Sequence, residues 1–178
     1  MIEFCYDPVG IACFIDSHSL GARSQMELLE RIFSEDAAFL RPDCRDDKKR
    51  FFSDTLYWVN YLVDKVDLDA EYPAIEKDFM SMGAEISRDS FLLSEYSNVG
   101  LFFMNMRLQI RFTGIQNYVR KKMRTVLKAY GYKRRTAALM SHMRDCMMFY
   151  HIQTYLSGER ECDIREISLD DMITFRVI

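Results

Sequence analysis

Between Tyr96 and Arg144 the chain runs for 49 residues without an Asp or Glu, although 27 acids are spread over its 178 residues. The same run carries 11 Lys/Arg. Residues 1–95 hold 10 Lys/Arg against 20 Asp/Glu, and residues 145–178 hold 3 against 7. The formal net charge of −3 therefore conceals segments of −10, +11 and −4. A segment with eleven like charges cannot pack on itself alone. Its cations must face solvent, an anion on another molecule, or the acidic half of the same polypeptide.

Apolar residues make up 49% of the chain and aromatics 13%, with 7 Gly and 3 Pro. That is enough apolar surface to offset the entropy of ordering, which excludes disordered, collagen-like and low-complexity classes. The length suits one domain, or a small helical lobe fused to a second small unit. The N-terminal residues lack the basic and sustained apolar regions of a secretion signal, and no window reaches 18 apolar residues, so no membrane partner is expected. Five Cys at scattered spacing imply no disulfide framework and fit a reducing cytoplasm.

Periodicity divides the chain at residue 99. Over residues 1–99, Val9–Phe14 reads as a short strand, and Ser24-Gln25-Met26-Glu27 as a capping box opening a helix that ends near Pro42. Asp43 to Arg50 reads as a solvated charge run. Phe51–Val66 is an amphipathic helix, Pro73 opens a third to about Ser81, and Ser90–Ser97 adds a turn or two. In residues 100–178 the period changes. Phe102, Met104, Met106, Leu108, Ile110 and Phe112 alternate with more polar residues, which predicts a strand ended by Gly114. Helical spacing follows over Ile115–Tyr130, then Gly131, then a second helix from Thr136 with Leu139, Met140, Met143, Cys146, Met147 and Tyr150 inward. His151–Leu156, a turn at Ser157–Arg160 and Cys162–Ile167 read as a hairpin, and Met172–Val177 as a last strand. The expected class is α+β: an acidic helical N-terminal half, then a strand and a winged-helix-like helix-turn-helix with a β-hairpin, the two packed as one unit.

Helix, short turn, helix and hairpin is the element order with which winged helices place their second helix in the major groove. The charges suit it. Lys133, Arg134, Arg135 and Arg144 fall at or on the second helix, while Arg120, Lys121, Lys122, Arg124 and Lys128 cover the outer face of the first. Such cations neutralise phosphates and release counterions. Arg107 and Arg111, on the polar side of the predicted strand beside Phe103, make a second basic stripe of the kind RNA-binding sheets use. Against this, the hairpin tip carries Glu159 and Glu161, and the second helix has few side chains suited to reading base edges.

Other chemistry is poorly supplied. His142 and Cys146 lie one helical turn apart with His151 and Cys162 further on, but no CxxC supports a zinc site and Cys146 falls on an apolar stripe. Asp43 with Asp46-Asp47-Lys48 imitates a nuclease motif inside a charge run with no strand to carry it. No phosphate-binding, nucleophile-elbow or zinc-protease motif is present. No cofactor and no catalysis are expected. The reading is a small non-enzymatic protein that binds DNA or RNA, such as a regulator or accessory factor of a phage or mobile element. The alternative is a binder of another protein, for example a phage- or mobile-element-encoded inhibitor of a host defence nuclease, with Met148 toward a partner or a homodimer mate. The bland option is that the basic helices dock on the chain's own acidic half.

Overall fold

The computed structural model describes residues 5–63, 97–129, 132, 134–157 and 160–178. Helices and one small antiparallel sheet make it an α+β protein. Two compact units divide the chain, Met1–Glu95 and Tyr96–Ile178. That division falls where the acid-free run begins, so the first unit carries the −10 and the second a net +7.

In the first unit, α1 (Pro8–Ser17) stands where a strand was expected. The sequence signal is Asp7-Pro8. The Asp7 carboxylate accepts the Gly10 N–H at 2.9 Å, and Pro8 occupies a first-turn position whose N–H would have no helical partner. The face bearing Ile11, Phe14 and Ile15 is buried, and α1 packs on α4 (Lys48–Val63). Along the chain α2 (Ala22–Glu35) and the short α3 (Pro42–Arg45) come between the two. The expected capping box does not form, because Gly21 is the N-cap and Ser24 already lies inside α2, while Glu27 pairs with Arg23 at 2.8 Å. The charge run is ordered: Asp47 caps α4 through the Arg50 N–H, and Arg41 and Arg50 both reach Asp43 and Asp54. The helix expected over Pro73–Ser81 and the turns over 90–96 lie outside the described residues.

The second unit overturns three expectations. Residues 102–112 are not a strand but part of α5 (Ser97–Leu108), continued by a π-helical turn over Gln109–Thr113. Phe102, Met104, Met106, Leu108 and Ile110 are buried, but so are Phe103 and Arg107 on the supposed polar side. A helix buried nearly all round imposes no 3.6-residue period, so chance alternation imitated a strand. Met, Leu, Arg and Gln, none of them branched at Cβ, also favour helix. Gly114 then closes the π-turn: its N–H donates to the Gln109 carbonyl at 2.6 Å, and a Cβ there would sit 2.7 Å from that oxygen.

The long helix expected over 115–130 is instead strand β1 (Tyr118–Lys122) followed by the short α6 (Met123–Ala129). Pairing with β3 (Met172–Val177), fifty residues away, outweighs the local helical spacing. α7 (Ala137–Phe149) matches the expected second helix. The Thr136 hydroxyl accepts the Leu139 N–H at 3.2 Å, and Leu139, Met140, Met143, Cys146 and Met147 are buried. His151, at φ 50°, turns the chain from α7 into β2 (Ile152–Tyr155).

The sheet order is β1-β3-β2. A narrow hairpin leaves β2, with Tyr155 bridged to Glu161, but its tip residues Gly158 and Glu159 lie outside the described residues. The expected partner strand Cys162–Ile167 is a turn in which the Asp163 carboxylate accepts the Arg165 N–H, and β3 takes the place beside β2. Ile152, Thr154, Val119, Ile173 and Phe175 share the sheet's inner face, where the Phe175 ring meets Phe103 of α5. Among the described residues no helix is long and apolar enough to cross a membrane.

Candidate nucleic-acid interface

The basic residues of the second unit divide by what they touch. Arg107 is inside: it is 4% exposed, and its Nη1 donates to the Tyr150 carbonyl at the end of α7 at 2.8 Å. The sheet face expected of Arg107, Arg111 and Phe103 therefore does not exist; Phe103 is fully buried, and Arg111 lies on the π-turn over the Phe112 ring. Arg124 is on the surface, but its Nε and Nη2 donate to the two oxygens of the Asp170 carboxylate, at 2.7 Å each. The hydrogen bond to Arg124 holds the Asp170 carboxyl below the usual carboxylate range. Arg135 donates to the Ile167 carbonyl and clamps the β2–β3 loop to the start of α7. These three are structural.

Five others are differently placed. Arg120, Lys122, Lys128 and Arg134 are exposed and Lys121 half-exposed, and none forms an ion pair with a carboxylate among the described residues. Arg144 is half-buried beside Asp163, whose carboxyl it helps to hold low after the larger effect of Arg165. The two line a cleft of about 400 Å³ with Met147, Gln153 and Cys162. Lys133 lies outside the described residues.

On α7 the outward positions are Ala137, Ala138, Ser141, Asp145 and Met148, the last 68% exposed. This face is small, nearly neutral and short of the amide and guanidinium groups that read base edges. His142 and Cys146 do come together, Nε2 to Sγ 3.7 Å, but inside the core. Burial, with Asp145 adding to it, pushes the Cys146 thiol up to about 12, so at neutral pH it is neither a thiolate ligand nor a nucleophile.

The outer face of the sheet was not anticipated. Strand alternation puts Tyr118, Arg120 and Lys122 of β1 on it, with Met172, Thr174 and Arg176 of β3 and Gln153 and Tyr155 of β2. Tyr118 lies opposite Arg176, and Arg120 opposite Thr174. The Arg120 guanidinium stands 5.1 Å from the Tyr118 ring centre, with Nε donating to the Thr174 hydroxyl at 3.2 Å. Arg176 stands 5.3 Å from the Tyr155 ring centre, and the Tyr155 hydroxyl donates to Gln153 at 3.1 Å. The three strands place no acid on this face, but the bridge opposite Tyr155 sets the exposed Glu161 at its β2 edge. The one available signal was the alternation Tyr118-Val119-Arg120-Lys121-Lys122, hidden because three consecutive cations mask a period of two.

No protein family matches this chain, and no curated protein or solved structure does so at a significant level.

Proposed function

We propose that the Tyr96–Ile178 unit binds nucleic acid, with α6, the connection to α7, and α7 acting as a helix-turn-helix and the β2–β3 loop as its wing. The chain would serve as a non-enzymatic regulator or accessory factor. One observation carries the reading: Arg120, Lys121, Lys128 and Arg134 reach solvent without a described carboxylate in ion-pair contact, and Lys122 shares Asp170 with Arg124 only at longer range. Cations left in that state gain most from a phosphate array, because pairing releases the counterions condensed on the polyanion.

The order of α6, α7, β2 and β3 supports the winged arrangement. The small neutral face of α7 supports binding through the backbone rather than through base edges. Weak sequence preference and strong salt dependence follow. The test is fluorescence anisotropy at low salt with labelled single strands and duplexes. Changing Lys128 and Arg134 to Glu together is expected to weaken binding at least tenfold with the melting temperature unchanged. Equal affinity for the variant, or no binding by the unaltered chain, refutes the proposal. Met148, exposed on the same outward side of α7 as Ala137, Ala138 and Ser141, favours a second reading in which α7 meets another protein. A stoichiometric protein partner that survives nuclease treatment, with no oligonucleotide binding, would establish that reading instead.

A further inference from the structure

The outer sheet face and the helix-turn-helix are separate surfaces, and their chemistries differ. A duplex presents phosphates and hides its base faces, so a surface meant for duplex alone needs cations and no exposed rings. The sheet face has both. Tyr118, Gln153, Tyr155 and Arg176 are half-buried, with Arg120 and Lys122 exposed beside them. Each Tyr ring is covered by a guanidinium, through Arg120 in one case and Arg176 in the other. Guanidinium planes and aromatic rings are the two side-chain surfaces on which unpaired bases stack.

The register also spaces them. Tyr118 and Tyr155 sit on the two edge strands, one on each side of β3, and two residues out of step. Sheet spacings put their backbones roughly 12 Å apart, a span that a few extended nucleotides bridge. Lys122 lies at the end of the face, placed to take a phosphate. Asp170, the acid close to that end, is held by Arg124 and also attracts Lys122, and Glu161 stands at the other edge opposite Tyr155. A protein partner fits less well, because Met172 is the one exposed aliphatic side chain on the face.

We infer that this face is a stacking platform for single-stranded nucleic acid, the bases resting on the Tyr118–Arg120 and Tyr155–Arg176 pairs and the backbone following Lys122. The inference rests on the nucleic-acid reading above but concerns a different surface and a different ligand form. Arg120 and Lys122 belong to both, so the platform is judged on Tyr118 and Tyr155, which belong to this face alone.

The test titrates the full chain into fluorescein-labelled 12-mers of oligo(dT) and oligo(rU), a 20-base-pair DNA duplex, and labelled polyglutamate. Changing Tyr118 and Tyr155 to Ala together is expected to weaken single-strand binding at least tenfold and duplex binding less than threefold. Changing both to Phe keeps the rings and is expected to leave affinity within twofold, which separates stacking from a folding defect. Lys122→Ala is expected to lower the salt slope for the 12-mers by about 0.7. The dT and rU arms show which sugar is preferred. Single-strand binding that is insensitive to the Ala pair, or lost equally with the Phe pair, overturns the platform and leaves the helix-turn-helix reading standing. So does binding of duplex alone, or binding of polyglutamate as tightly as the 12-mers. Binding of no nucleic acid overturns both.

Discussion

Replacing Arg107 by Met tests whether this cation is a strut or a ligand contact. Met has a similar length, is unbranched and favours helix, so α5 and its packing are retained while the charge is lost. What disappears is a buried hydrogen bond from a guanidinium to the Tyr150 carbonyl, at the negative end of the α7 dipole. A hydrogen bond to a charged group contributes about 1.5–3 kcal/mol, and a buried carbonyl left unpaired costs about 1–3 kcal/mol. Relief of the desolvated charge offsets part of this. The expected loss is about 2 kcal/mol, which for a unit of this length lowers the melting temperature by roughly 8–16 °C. Calorimetry of the full chain reads that shift, and anisotropy on the same sample should show oligonucleotide affinity unchanged below the transition. A variant that melts with the parent chain yet binds tenfold more weakly would refute both the helical placement of residues 102–112 and the structural role of Arg107.

Gly114→Ala should destabilise the second unit by about 1–3 kcal/mol in a urea melt, since the new Cβ meets backbone oxygens of Gln109 and Gln116 that cannot move aside cheaply. Iodoacetamide at pH 8 should label Cys5, Cys13 and Cys162, which are partly exposed, well before the buried Cys44 and Cys146; peptide mass spectrometry reads the order, and early labelling of Cys146 would contradict its burial. Asp170 and Asp163 have folded-state pKa values held down by Arg124 and Arg165. Their contribution is therefore complete above the ordinary carboxylate range and is lost as pH falls through the lowered values. Thermal melts should show no effect of Arg124→Ala on the pH dependence between pH 7 and 5, and a change in the acid limb only below about pH 4. A dependence near pH 6 would mean that another group is responsible.

Local sequence was informative where one element carried its own period and its own cap. α7 is such a case, with Thr136 ahead of a clean stripe from Leu139 to Met147. β3 is another, a short run of β-forming residues after Asp170-Asp171. α1 was legible but misread, because Asp7-Pro8 outweighs a brief apolar run. α5 was not legible: Phe103 and Arg107 are buried by Phe175 and by the Tyr150 carbonyl, and neither partner is visible in a local window. β1 exists because β3 pairs with it across fifty residues, so its outward row of Tyr118, Arg120 and Lys122 appeared only once the register was known. Counting cations located the basic unit. It could not separate those held by a carbonyl or carboxylate, as Arg107, Arg124 and Arg135 are, from those facing water.

That separation is the central claim, and the salt dependence of binding measures it most directly. Log affinity of the full chain for an oligo(dT) 12-mer, followed from 50 to 300 mM NaCl, should fall against log salt with a slope of about −2 to −3.5, as three to five cations each displace about 0.7 of a counterion. A slope near zero, or no binding at 50 mM, would mean that Arg120, Lys121, Lys122, Lys128 and Arg134 are not open to an anion.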